Sequence, residues 1–127
     1  MTDPQLSFKE MCARFDVTPR TLRYYEYIEL LNPQKEGRSR SYGPREVARM
    51  KLILRGRHFG FSLEEIRQWL DLYGTAGTAS QLRAFLAMAD RQTAALEEQI
   101  TALRASLQDL AQLRAETQSR LDERSGK

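Results

Sequence analysis

The stretch Thr18-Pro19-Arg20-Thr21-Leu22-Arg23-Tyr24-Tyr25-Glu26 decides how the rest of the chain is read. It predicts a short helix with a marked start. Thr18 can cap the first free N–H groups, and Pro19 suits the first helical position, where its missing N–H costs nothing. Arg20, Arg23 and Tyr24 then stand at i, i+3 and i+4 on one face, while Leu22 and Tyr25 turn toward a core. Two guanidinium forks and a phenol on one face suit a nucleic-acid groove, because Arg pairs in two-pronged fashion with phosphate or guanine edges and Tyr donates to phosphate. An ordinary solvated helix face has the same composition, so the flanking sequence must decide between the two.

Upstream, Ser7-Phe8-Lys9-Glu10 has the form of a capping box, and Phe8, Met11, Cys12 and Phe15 follow at helical spacing. They predict a first short helix ending near Phe15, with residues 1–6 frayed before it. Only Asp16-Val17 separates the two helices, the arrangement of a helix-turn-helix whose second helix enters the major groove. Downstream, Leu30-Leu31-Asn32-Pro33 closes the pair. The segment from Gln34 to Tyr42 predicts a two-stranded hairpin, a wing, with its tip at Glu36-Gly37; a disordered basic loop is the competing reading. In the hairpin, Arg38, Arg40 and Tyr42 share one strand face by the period of two. Pro44 opens a third helix through His58 with a buried stripe of Val47, Met50, Ile53 and Leu54. Gly56 inside it is a weak spot, worth about 1 kcal/mol against alanine. Ser62-Leu63-Glu64-Glu65 is a second capping box, starting a fourth helix through Tyr73 on which Leu63, Ile66, Leu70 and Tyr73 repeat and Trp69 and Leu72 widen the stripe.

Residues 74–79, Gly-Thr-Ala-Gly-Thr-Ala, divide the chain into a domain at 1–73, a linker at 74–79 and a helix at 80–127 that ends in a polar tail. From Leu82 to Leu121, apolar positions alternate in steps of four and three, a sustained heptad seam and the mark of a coiled coil. Roughly 45 residues at about 1.5 Å each make a rod near 67 Å. One small domain cannot bury such a seam, which calls for a second copy docked through Leu96, Ile100, Leu103, Leu107 and Leu110. Thr93 and Arg114 on the seam would fix register or orientation.

Composition narrows the function. The 127 residues are 29% charged, with one cysteine and one histidine. Mean hydropathy is −0.59, no run approaches a membrane span, and the start carries no signal peptide, so the cytoplasm is the expected location. A single thiol makes no internal disulfide, CxxC pair or thiolate cage. Cys12 reads as a small core residue with nothing cationic placed to lower its pKa, and His58 as a partly exposed helix residue. No metal site, cofactor or catalytic constellation is expected, and an enzyme is excluded. The net charge of +3 is unevenly spread. Thr18 to Arg57 holds ten basic against four acidic residues, a net +6, whereas Gly74 to the end holds seven of each. A polyanion partner is expected for the first part alone.

The ordered set Phe15-x-Val17-Thr18-x-Arg20-Thr21-Leu22-Arg23-Tyr24-Tyr25-Glu26, then Leu30-Leu31-x-Pro33, Gly37, Arg40-x-Tyr42 and Gly60-Phe61-Ser62-Leu63-x-Glu65-Ile66, resembles the MerR family of bacterial transcription regulators. The match runs continuously from Phe8 to about Tyr73. It implies an all-α fold with a small β wing: a winged helix-turn-helix domain and a long dimerisation helix pairing as an antiparallel coiled coil. It further implies that Thr18, Arg20, Arg23, Tyr24 and Tyr25 serve DNA binding from the recognition helix, and Arg40 and Tyr42 from the wing, with Arg38 as their neighbour. Double-stranded DNA and a second copy are the implied partners, RNA polymerase a further one. Two departures stand out: Glu29 replaces the usual glycine before the Leu-Leu pair, and the spacing between Gly37 and Tyr42 is adjusted. The cysteines of the family's metal and redox sensors are absent, as is the large drug-binding domain of other members. The run Lys51 to Gly56 with Gly60 to Leu63 looks more like the subgroup that controls branched-chain amino-acid and acyl-CoA breakdown.

A homodimeric, sequence-specific DNA-binding regulator that distorts a promoter is therefore expected. The alternative is a coiled-coil interaction module whose helix-turn-helix binds no DNA, which leaves the Arg/Tyr face without a purpose. The place for a small-molecule effector, whose identity the sequence leaves open, is the cluster Trp69, Tyr73, Phe85 and Met88 beside the linker; interdomain packing is the competing reading there.

Overall fold

The computed structural model of the chain describes residues 5–73 and 77–126, which form eight elements. These are β1 (Leu6–Ser7), α1 (Phe8–Phe15), α2 (Pro19–Tyr27), β2 (Gln34–Glu36), β3 (Ser39–Tyr42), α3 (Pro44–Phe59), α4 (Leu63–Tyr73) and α5 (Ala79–Ser125). The chain makes two compact units, Met1–Phe85 and Leu86–Lys127. Of the expected linker, residues 74–76 lie outside the described residues.

Side chains set the helix starts. Ser7 accepts from the Glu10 N–H at 3.1 Å while Glu10 accepts from the Ser7 N–H at 2.9 Å. Ser62 and Glu65 repeat the exchange at α4, and Thr78 and Gln81 make a third box ahead of α5. Hydrogen bonding from the Ser7 backbone N–H, and then from the Ser7 side chain, holds the Glu10 carboxyl below its ordinary range.

Three helix ends share one device. After α1, α2 and α3 a residue takes the left-handed conformation: Asp16 at φ 52°, Glu29 at φ 64° and Gly60 at φ 88°. In each, that residue's N–H reaches back three positions and the next N–H reaches back five, the paired bonds of a Schellman motif. Glycine fits this position freely and aspartate tolerates it, but glutamate does not. The missing glycine before the Leu-Leu pair thus leaves the turn in place and the backbone strained.

The core of the first unit is built from Met11, Leu22, Leu30, Leu31, Met50, Ile53, Ile66 and Leu70. Gly56 is not merely a weak spot in α3. A Cβ there would lie 2.8 Å from Ile66 Cγ1 and 3.3 Å from Trp69 Cζ3, so the missing side chain is what allows α3 and α4 to approach.

The sheet corrects two expectations. Of residues 1–6, expected to be frayed, 1–4 lie outside the described residues, and Leu6 is instead in a strand with Ser7, pairing antiparallel with Tyr42 and Ser41 and giving the order β1-β3-β2. The hairpin loop is Gly37-Arg38, since Glu36 pairs with Ser39. Gly37 has φ 61°, and a positive φ at the first loop position alone is the pattern of a II′ turn. Arg38 therefore sits in the turn, off the strand face that carries Arg40 and Tyr42.

Candidate nucleic-acid interface

The helix α2 is held at both of its ends. At its start Thr18 Oγ1 accepts from the Thr21 N–H at 3.1 Å and donates to Thr21 Oγ1 at 2.9 Å. The hydroxyl of Thr18 is thus spent on fixing where α2 begins. At its end, Arg67 from α4 donates to the Ile28 carbonyl, and Arg49 Nε from α3 donates to the Leu30 carbonyl at 2.9 Å. The buried Glu46 accepts from the Asn32 N–H at 2.9 Å. Arg49 and Arg67 are clamps on the strained turn around Glu29.

Between these ends lies a buried polar node. Glu26, with a side chain 7% exposed, accepts from the Tyr42 hydroxyl and faces Arg40, whose Nε is 2.9 Å from Oε1. The Arg40 contact is ionic rather than a directed hydrogen bond. Arg40 also lies 5.4 Å from the Phe8 ring centroid, and Arg23 lies 5.5 Å from the same ring. One phenyl ring therefore braces a cation from the wing and a cation from the recognition helix.

This geometry sorts the expected site residues. Arg20, Arg23 and Tyr24 are exposed on α2, and Arg38 is exposed at the wing tip. Tyr25 and Tyr42 are buried, behind the side chains exposed on α2 and the wing. Tyr42 shares a strand face with Arg40 as expected, but the face points inward, to Phe8 and Glu26. Burial, and then the hydrogen bond to Glu26, push the Tyr42 hydroxyl far above the ordinary tyrosine range. Arg40 is tied to Glu26 and only a third exposed, so among the described residues the exposed cations of the wing are Lys35 and Arg38.

Two further residues join the exposed face. A hollow of about 600 Å³ is lined by Arg20, Thr21, Arg23, Tyr24, Tyr25, Tyr27, Arg57 and Leu63. Tyr27 is 83% exposed and continues the Tyr24 row by three positions, a signal present in the sequence. Arg57 comes from α3, so no local spacing could have found it.

Cys12 is partly exposed. Burial raises its thiol pKa; Arg23, contrary to expectation, does pull it down, and Glu26 pushes it up, leaving the net shift upward. That keeps it an unreactive thiol near neutral pH. Among the described residues no group of His, Cys, Asp and Glu could hold a metal, and no helix is long and apolar enough to cross a membrane.

The family models agree with this geometry. The one described as MerR HTH family regulatory protein matches residues 6–72, and the one described as MerR, DNA binding matches residues 47–113. The chain belongs to the MerR family. It is thus a DNA-binding transcription regulator and not an enzyme, built as a winged helix-turn-helix domain with a long C-terminal helix. Among its MerR relatives, an uncharacterised HTH-type transcriptional regulator of Pseudomonas aeruginosa is 34% identical over 110 residues, which cover 84% of this chain and 83% of that one. The regulator HmrR of Rhizobium leguminosarum bv. viciae is 37% identical over 76 residues, 59% of each chain. A MerR family regulator from Bacillus cereus superposes with a TM-score of 0.67 at 28% identity, over 82% of this chain and 75% of that one. HiNmlR, a MerR family regulator solved bound to promoter DNA, superposes at 0.63 with 20% identity, over 82% and 79%, a likeness of fold.

Proposed function

We propose that the chain works in the cytoplasm as a homodimer that binds and distorts a promoter. Each subunit lays α2 in the major groove and rests its wing on the flanking backbone. The observation that carries this is the exposed row Arg20, Arg23, Tyr24 and Tyr27 on a helix clamped at both ends, with Arg57 beside it and Arg38 exposed in the wing's turn. Arg20 and Arg23 can reach bases or phosphates, and only base contacts carry sequence information. The Phe8 ring holds Arg23 ready, which lowers the ordering cost of a contact. Bending or untwisting the spacer is costly, but extra wing and helix contacts offset it, and the distortion brings the two polymerase elements into phase.

The second copy is supported by α5. Leu96, Ile100, Leu103, Leu107 and Leu110 are all exposed along it. Thr93 and Thr117 turn their hydroxyls back to the carbonyls of Ala89 and Leu113 at 2.8 Å, so a partner helix would bury no unmade hydrogen bond on them. The two compact units then divide the work, the first reading DNA and the second holding two readers at a fixed separation.

The test is a gel shift on a duplex selected by the protein from a random pool. Affinity should fall steeply with salt. Charge at both Ile100 and Leu103 should give a monomer in sedimentation and abolish tight binding, because like charges would be buried and the half-sites uncoupled. Inserting two base pairs between half-sites should do the same to binding. No duplex retained from the pool, or binding with no salt dependence, would instead favour the coiled-coil interaction module, and a duplex bound equally well by the monomer would remove the homodimer from the reading.

A further inference from the structure

We infer that the first unit carries a binding site for a small planar aromatic carboxylate, in the hollow bounded by Arg55, Phe59, Trp69, Leu72, Leu82 and Phe85. The hollow measures about 520 Å³, within the range of small-molecule sites, roughly 300–1,000 Å³. Its walls are apolar and flat. Trp69 and Phe85 stack at 6.2 Å with 21° between their planes, and Phe59 lies 6.5 Å from Trp69. Stacked faces of this kind receive another flat ring in offset geometry and gain little from a branched aliphatic chain.

One wall is charged. The Arg55 guanidinium stands over the Phe59 ring, 5.7 Å from its centroid, and forms no ion pair with a carboxylate among the described residues. A guanidinium held on an aromatic face beside an apolar hollow selects a ligand with an apolar body and one anionic end. Carboxylate matches its fork in two-pronged fashion. A polyphosphate would need several cations, and Arg55 is the lone one among the described residues of these walls. Of the cluster expected from the sequence, the hollow brings Trp69 and Phe85 together. Met88 belongs to the second unit and is not among the walls, and the Tyr73 side chain lies outside the described residues.

As the effector site of a regulator this inference rests on the function proposed above, but the binding is measured without DNA. The full chain is titrated calorimetrically with 1-naphthoate, and with 1-naphthamide as its neutral counterpart. Naphthoate should bind, and the amide should bind at least about tenfold more weakly. Arg55→Met should erase that preference by weakening naphthoate far more than the amide, and Phe85→Ala should weaken both. Arg55 is exposed, so the variant should keep its circular dichroism and melting temperature. No heat with naphthoate up to about 1 mM, equal binding of acid and amide, or wild-type naphthoate affinity in Arg55→Met would each overturn the site. Failure of DNA binding in the gel shift, with naphthoate binding intact, would overturn the regulator and leave the site standing.

Discussion

Replacing Arg40 by methionine keeps an aliphatic stem beside Phe8 and removes the guanidinium 2.9 Å from Glu26 Oε1. Stripping one partner from a buried ion pair costs about 3–5 kcal/mol. Two features reduce that here: Arg40 is 32% exposed, so water screens the pair, and Tyr42 still donates to the carboxylate. About 1.5–3 kcal/mol of destabilisation remains. Urea denaturation at fixed protein concentration should show it as a midpoint lowered by roughly 1 M or more, with an unchanged slope. Glu26→Gln in the same chain should restore most of the loss, because the amide oxygen still accepts from Tyr42 and no buried charge is left. Arg38→Ala should behave in the opposite way. Its stability should stay within about 0.5 kcal/mol of wild type, and the salt slope of DNA binding should become shallower by about one ion. An Arg40→Met protein with the wild-type midpoint and a salt slope reduced by one ion would refute the reasoning and return Arg40 to the phosphate backbone.

Glu29→Gly should stabilise the fold by about 0.5–1 kcal/mol in urea, since relief of about 1–2 kcal/mol of left-handed strain exceeds glycine's extra freedom in the unfolded chain; a destabilised variant would show that the Glu29 side chain is needed there. Gly56→Ala should lower the melting temperature, because overpacking against Ile66 at 2.8 Å costs about 1–3 kcal/mol and outweighs about 1 kcal/mol of helix preference. A higher melting temperature would deny the close approach of α3 and α4. The raised Tyr42 pKa makes stability pH-dependent on the alkaline side. Stability from this group is complete below the unfolded value near 10 and falls above it by about 1.4 kcal/mol per pH unit, as the unfolded chain ionises first. Tyr42→Phe should remove that part of the alkaline slope, and identical slopes in the two proteins would contradict it.

Much of the fold was legible because its signals are local. Thr18-Pro19, Ser7 with Glu10 and Ser62 with Glu65 each start a helix through atoms a few residues apart, and the period of two on β3 does place Arg40 with Tyr42. What was hidden depends on neighbours distant in sequence. Leu6-Ser7 becomes a strand only because β3 lies alongside. Alternation tells that Arg40 and Tyr42 face the same way, but not that this way is inward. A loop displaced by a single residue then takes Arg38 off the strand and leaves it exposed in the turn. Arg49 and Arg67 look like any solvated arginine until the carbonyls of Leu30 and Ile28 are seen in front of them. Glu29 was the legible hint: a helix end without its glycine leaves strain that something else must hold.

Arg67 has a mechanical consequence. Its guanidinium grips the Ile28 carbonyl at the end of α2, and two residues further along α4 stands Trp69, whose ring lines the hollow closed by Phe85. α4 therefore acts as a short lever with the recognition helix on one arm and an aromatic wall on the other. A displacement of α4 at Trp69 must stretch the Arg67 contact or carry the end of α2 with it. Since Glu29 already holds that end in a conformation its side chain disfavours, the lever bears on a strained turn at the end of α2.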